Sequence, residues 1–218
     1  NYGTAIIGTV SGTGISFGTA VVFQSAATKI LPQGAVFDTL NNRVVICYNA
    51  ASEHGTASVG TVSGTGISFG DVAAFEDSST KAIAIAFDSS ANKTLIAYSD
   101  FGDSNKGKAV VASVSGTSIS FGSPVIFEAG STSSGNQTSA TCDSVGGKVV
   151  VTYADIGDSD KGKLVVGTIS GTSVSFTSPL EFDPQIGKST ATFDSNSNKV
   201  VISYLDAANS RSESTVFQ

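Results

Sequence analysis

Apolar side chains in this chain come in short runs, each closed off by Gly, Ser, Thr, Asn or Asp, and a helical period is nowhere evident. Val, Ile, Thr and Phe fill the runs, the side chains that suit a pleated surface. Runs such as Val44-Val45-Ile46 are apolar on both faces. That pattern belongs to a sheet sandwiched between neighbours.

The runs repeat. GTVSGTGISFG occurs at Gly8 to Gly18 and again, unchanged, at Gly60 to Gly70. ASVSGTSISFG from Ala112 and GTISGTSVSFT from Gly167 are weaker copies, and Gly12, Gly64, Gly116 and Gly171 mark periods of 52, 52 and 55 residues. A second block follows in each copy: VFDTLNNRVVICY, AFDSSANKTLIAY, TCDSVGGKVVVTY and TFDSNSNKVVISY, ending at Tyr48, Tyr98, Tyr153 and Tyr204. In the second copy the turn signals delimit strand one over 82–88, strand two over 94–98, strand three over 109–115 and strand four over 118–127.

A four-stranded meander repeated about every 50 residues is the unit of a β-propeller. A β-helix needs shorter coils, and a sandwich does not repeat so faithfully. The sequence therefore predicts an all-β, four-bladed propeller of antiparallel blades in a single domain, 1–218. It comprises an N-terminal half-blade 1–27, full units over about 28–79, 80–131 and 132–183, and a part-blade 184–218. Ring closure pairs the N-terminal hairpin with the C-terminal strands one and two, which removes sheet edges. Strand three then occurs once too often. The N-terminal copy, with Ala5, Ile6, Ile7 and Val10, is the expected winner, leaving residues beyond about Ser210 displaced and available for weak self-association.

The FD-turn-K-V-V-I-A-Y block followed by a G-x-A-V-V strand resembles the layout of WD-repeat and TolB-like propeller blades, without the Gly-His and Trp-Asp signatures of true WD repeats. The GTVSGTSISFG-type tandem unit is similar to repeats of tail, fibre and surface proteins of marine bacteriophages and bacteria. That resemblance spans the whole chain and implies attachment to a surface; it assigns no residue a role.

Composition narrows the partners. A net charge of −6 disfavours nucleic acid and anionic membrane surfaces, which attract basic faces. No apolar run approaches the ~20 residues that span a bilayer. The chain has no Met, which reads as a processed or excised piece of something longer, and abundant Ser, Thr and Gly lean towards an extracellular or virion-borne location. Cys47 and Cys142 replace apolar residues of the repeat in different copies, so both read as buried free thiols.

The candidate chemistry lies in the connections. Turns between strands one and two, and the Ser-Gly-Thr turns between three and four, are alike in every copy and share one rim. The four-to-one connections (24–29, 76–81, 128–137, 183–188) and two-to-three connections (49–54, 99–106, 154–161, 205–212) vary, and lie on the opposite rim. A templated face and a variable face are how binding loops sit on a scaffold, although drift in exposed loops gives the same pattern. Two of the variable loops are acidic and nearly identical, and they nominate Asp100, Asp103, Asn105, Asp155, Asp158 and Asp160. Close oxygen ligands beside Gly suit Ca²⁺, but the spacing is not that of an EF-hand. Lysines in the same loops favour solvated Asx-turns with local ion pairs. No cofactor or metal is therefore assigned. Tyr98 and Tyr153 end strand two, either packed in the core or forming part of a ring of sugar-stacking phenols.

Catalysis needs unique, convergent groups. The only histidine is His54, in a loop between Glu53 and Gly55, and the only arginines are Arg43 and Arg211. That is too few for a sialidase-like carboxylate clamp, and no nucleophile-elbow motif is present. The expected function is non-catalytic, lectin-like binding of a glycan or cell-surface component. The alternatives are a structural repeat of a fibre or appendage, and a metal-dependent hydrolase-like propeller.

Overall fold

Turn chemistry sets the register of each sheet. Asp38, Asp88, Asp143 and Asp194 each end a strand, and Oδ1 of each accepts the amides two and three residues further on. The turns then pass through Asn42, Asn92, Gly147 and Asn198 at φ of 52–61°. Asn and Gly tolerate that left-handed backbone best. The computed structural model describes residues 2–50, 53–132 and 137–217. Within them the chain is strands and two 3₁₀ turns.

An N-terminal hairpin is built from β1 (Tyr2–Ala5), β2 (Gly8–Ser11), β3 (Gly14–Phe17) and β4 (Val21–Ala27), with β2 on β3 and β1 on β4. Unit one follows as β5 (Lys29–Asp38), β6 (Arg43–Asn49), β7 (His54–Ser63) and β8 (Gly66–Phe69). Unit two is β9 (Ala73–Asp88), β10 (Lys93–Asp100), β11 (Lys106–Ser115), β12 (Ser118–Phe121) and β13 (Val125–Ser131). Unit three is β14 (Ser139–Asp143), β15 (Lys148–Asp155), β16 (Lys161–Ser170), β17 (Ser173–Phe176) and β18 (Leu180–Asp183). The last unit is β19 (Ile186–Asp194), β20 (Lys199–Asp206) and β21 (Arg211–Phe217).

Within each unit the strands form an antiparallel meander, a single parallel bridge between Gln33 and Ala84 joins β5 to β9, and the predicted fourth strand is broken once. In unit three β17 pairs with the end of β16 and β18 with its beginning. The sequence reads 76–81 as a variable loop; here it is strand. β9 runs unbroken for 16 residues, closing unit one against β7 and opening unit two against β10. The extended backbone keeps its hydrogen bonds on both sides, which a loop would lose.

The core lies between units. One cluster joins Val45, Cys47 and Ala57 of unit one to Ile83, Ile85, Ile96 and Val110 of unit two. Two more join units two and three, and units three and four. First strands neighbour one another from unit to unit, β5 by β9, β9 by β14 and β14 by β19. Hydroxyls bridge the seams: Ser139 Oγ accepts the amide of Ala191 at 2.8 Å, and Thr152 Oγ1 lies 3.1 Å from Ser189 Oγ. Each seam also stacks three aromatic rings, as in Phe127 against Tyr153 and Phe176 with centroids 5.1 and 5.8 Å apart.

Glycine is required where units touch through backbone. A Cβ on Gly18, Gly70 or Gly122 would lie 1.8, 2.2 or 1.8 Å from the carbonyl oxygen of Thr65, Thr117 or Thr172 in the next unit's turn. The fourth such position is Thr177, whose Oγ1 instead accepts the amide of Val166.

The C-terminal strand corrects the sequence expectation. β21 is not displaced; it pairs with β20 throughout, from Asp206 opposite Arg211 to Val200 opposite Phe217. Among the described residues β1–β4 pair only with one another, so no strand pairing closes a ring. The reason is loop entropy. β21 reaches β20 through a tight turn, whereas the N-terminal copy would have to bring distant chain segments together.

Candidate functional site

The rim opposite the templated turns is held together by buried charge. β10 ends at Asp100, a 3₁₀ turn covers Phe101–Asp103, and β11 returns through Lys106 and Lys108. Because β10 and β11 pair with Asp100 opposite Lys106 and Tyr98 opposite Lys108, both lysines come back over the acidic strand end. Lys108 Nζ stands 2.6 Å from Asp100 Oδ2 and 2.9 Å from Asp103 Oδ2, and Lys106 Nζ stands 2.8 Å from Asp103 Oδ1. Unit three repeats the arrangement, with Lys163 Nζ 2.6 Å from Asp155 Oδ2 and 3.0 Å from Asp158 Oδ2.

The solvated turns expected from sequence are thus only half right. The ion pairs form, but Asp100 and Asp155 are buried and an ammonium occupies the place a bound cation would take. Burial works against the charge of Asp100; Lys108, Ser78 and the Gly102 amide outweigh it and hold the carboxyl below its usual range. Burial opposes the charge of Lys163 too, yet Asp155 and Asp158 push its pKa up to about 12. Of the nominated residues, Asp103, Asn105, Asp158 and Asp160 keep partial exposure and can meet a ligand.

Tyr98 and Tyr153 cannot stack on a sugar. Both are fully buried against Phe75 and Phe127, and their hydroxyls donate to Glu76 at 3.1 Å and Glu128 at 3.0 Å. Desolvation, then the neighbouring glutamates, raise both phenols above their usual range. Of the two readings of these tyrosines the structure shows core packing, each against a phenylalanine of the strand that closes the preceding unit.

At the position of Lys108 and Lys163 unit one has Thr56, and the last unit alone has a carboxylate, Glu213. Glu213, Asp206 and Asp183 bring carboxylate oxygens within 4.8 Å of one another. Arg211 partly answers them, with Nε 2.5 Å from Glu213 Oε1 and 3.6 Å from Asp206 Oδ2. This is the one group among the described residues with the donor set to hold a metal. Three different strands supply it, and sequence reading missed it; an acidic residue at the strand-three position of Lys108 and Lys163 was the available signal.

Elsewhere on the rim Lys29 pairs with Glu53, and Lys81 lies 3.9 Å above the ring of Phe101. His54 opens β7 half-buried. Cys47 is buried and Cys142 half-buried, and both are free thiols. Desolvation raises the Cys47 thiol, and pushes Cys142 up to about 12, so neither is primed as a nucleophile. No helix among the described residues is long and apolar enough to cross a membrane.

No protein-family model matches this chain, and no curated protein matches it.

Proposed function

We propose that the chain is a non-catalytic binding module whose units stack as propeller blades, four in number, and whose variable rim takes a glycan or a cell-surface component. One observation carries this reading. The one-to-two turns follow one template, with four Asp carboxylates accepting the same pair of amides, and they join the Ser-Gly-Thr turns on one rim, where Arg43 Nε donates to the Gly116 carbonyl at 2.9 Å. The other rim is not uniform: unit one carries Lys29–Glu53, units two and three share the Asp100–Lys108 and Asp155–Lys163 arrangement, and the last unit carries the Asp183, Asp206 and Glu213 cluster. Neighbouring first strands, as along a propeller axis, support the blade reading. An extracellular or virion-borne setting suits it.

The test is a glycan array with the whole chain, repeated with Asp103, Asn105, Asp158 and Asp160 changed to Ala. Binding that survives all four changes, or no binding on any array, removes the reading.

A structural role in a fibre or appendage is the second reading. It is favoured by the uncovered apolar face of the N-terminal hairpin, where Val10, Ile15 and Phe17 are exposed.

A further inference from the structure

The last unit leaves two surfaces that match each other. Beside it opens a crevice of ≈ 270 Å³, lined in part by Val150, Leu164 and Val166 of unit three and by Phe193, Val200 and Phe217 of the last unit. One seam earlier the same place is filled. Val174 and Phe176 lie over Gly167 beside Val149, inside the cluster that joins units two and three. Val200 is the counterpart of Val149, each two places into its strand, but no hairpin among the described residues covers it.

The hairpin β1–β4 is a piece of that kind with nothing among the described residues over its outer face. Ile6 is 49 % exposed, Val10 71 %, Ile15 57 % and Phe17 63 %. The counterparts of Ile6 are Ser58, Val110 and Val165, all fully buried, and Val110 and Val165 lie in the clusters that join their units to the preceding one. The counterpart of Ile15 in unit one, Ile67, is buried as well. Position by position the hairpin suits the last sheet better than β21 does. Ile6 stands where β21 has Thr215, and Ala5 where it has Ser214. Gly8 stands where Gly60 and Gly167 lie under Phe69 and Phe176, whereas β21 puts Phe217 there.

We propose that the crevice is an acceptor site for the N-terminal hairpin of a second copy of this chain. In that complex β1 and β2 replace β21 along β20, and Val10, Ile15 and Phe17 enter between units three and four. The chain's own hairpin sits on unit one, with Gly18 against Thr65 and Phe23 against Tyr48 and Phe69, and makes no pairing with β20. The contact is head-to-tail, so each added copy offers a fresh hairpin and a fresh crevice, and assembly propagates. Continuity with the three seams inside the chain is the argument for the occupant. Thr177 sets its strength. The other seams seat a turn carbonyl on Gly18, Gly70 or Gly122, and here the incoming Thr13 carbonyl meets a side chain.

This inference deepens the structural reading and is independent of what the rim binds. Sedimentation velocity across concentration tests it on the full chain, on Ile15→Asp and on Thr177→Gly. Wild type is expected to form concentration-dependent oligomers and Ile15→Asp to stay monomeric with an unchanged melting temperature. Relieving the overlap in Thr177→Gly should tighten association roughly tenfold or more. In a Cys142→Ser background, Ile15→Cys and Val166→Cys chains should form a disulfide-linked heterodimer when mixed. Four outcomes overturn the proposal: association unchanged by Ile15→Asp; no gain from Thr177→Gly; no mixed disulfide; or a disulfide between the two introduced thiols formed only within one doubly substituted chain, which would mean a closed ring. The rim substitutions above should leave association untouched, so failure of ligand binding and failure of this contact read separately.

Discussion

The hydroxyl of Ser78 donates to Oδ1 of Asp100, a bond that the next unit cannot make because Gly130 stands in place of Ser78. Asp155 Oδ1 is accordingly buried without a hydrogen-bond partner among the described residues. A Cβ on Gly130 would lie 3.5 Å from Asp155 Oδ1 and 3.2 Å from the carboxylate of Glu128, which accepts from the Gly130 amide and the Tyr153 hydroxyl. Gly130→Ser should therefore supply the missing donor and stabilise the chain by about 1 kcal/mol. Thermal unfolding should show a rise of ~2–4 °C. A fall would mean that Glu128 cannot give way.

Among the described residues Lys108 is the sole ammonium on Asp100, with side chains 16 % and 4 % exposed. Lys108→Met leaves that carboxylate buried without its ammonium, with only Ser78 and the Gly102 amide donating to it, and should cost about 3–5 kcal/mol. Lys29→Met breaks a pair whose lysine is 67 % exposed, and should cost under about 1 kcal/mol. Denaturant titration of the two variants checks the contrast. Equal losses would refute the burial argument.

Acid should unfold the protein through these same groups. Asp100, Asp103, Asp158, Asp194 and Asp206 are all held below the usual carboxylate range in the folded chain. Their stabilisation is complete above the unfolded value near pH 4 and is lost as pH falls through the lowered folded values. Melting temperature followed down from neutral pH should hold level to about pH 4–5 and then drop. A decline that begins near neutrality would point to another group.

Alkali should act through the phenols. Tyr98 and Tyr153 are raised by burial and by Glu76 and Glu128, and Tyr204 is pushed up to about 12 by desolvation and Glu213. A raised folded pKa keeps its stabilisation below the unfolded value and loses it above. Stability should fall once pH passes about 10. The fall should be shallower in Tyr98→Phe, which has no phenol to titrate there.

Two glycines a few residues apart should respond very differently. Gly64 turns at φ 57° with open space around it, so Gly64→Ala should cost only about 1 kcal/mol of backbone strain. Gly70→Ala drives a Cβ to 2.2 Å from the Thr117 carbonyl oxygen, and should cost about 3 kcal/mol or more by forcing the seam apart. Similar melting temperatures for the two variants would show that the seam is looser than its geometry.

What the sequence alone determined is local. An Asp followed by Asn or Gly three or four residues on makes the same turn in every unit, because an Asx-turn needs only its own residues. With the turns placed, the apolar runs between them become strands of one meander, and the period of about fifty residues makes the meander recur. Binding residues were less legible. Asp103, Asn105, Asp158 and Asp160 keep partial exposure, whereas Tyr98, Tyr153, Asp100 and Asp155 went into the interior. Only the tertiary structure could decide that, since Tyr98 is buried by Phe75 at the end of the preceding unit. The same holds for the Asp183, Asp206 and Glu213 cluster, for Gly70 beneath Thr117, and for β21 on β20. Each depends on which strand lies beside which. A two-residue alternation says that a strand has two faces; what covers each face is decided by loop-closure entropy and by the fit of the neighbouring sheet.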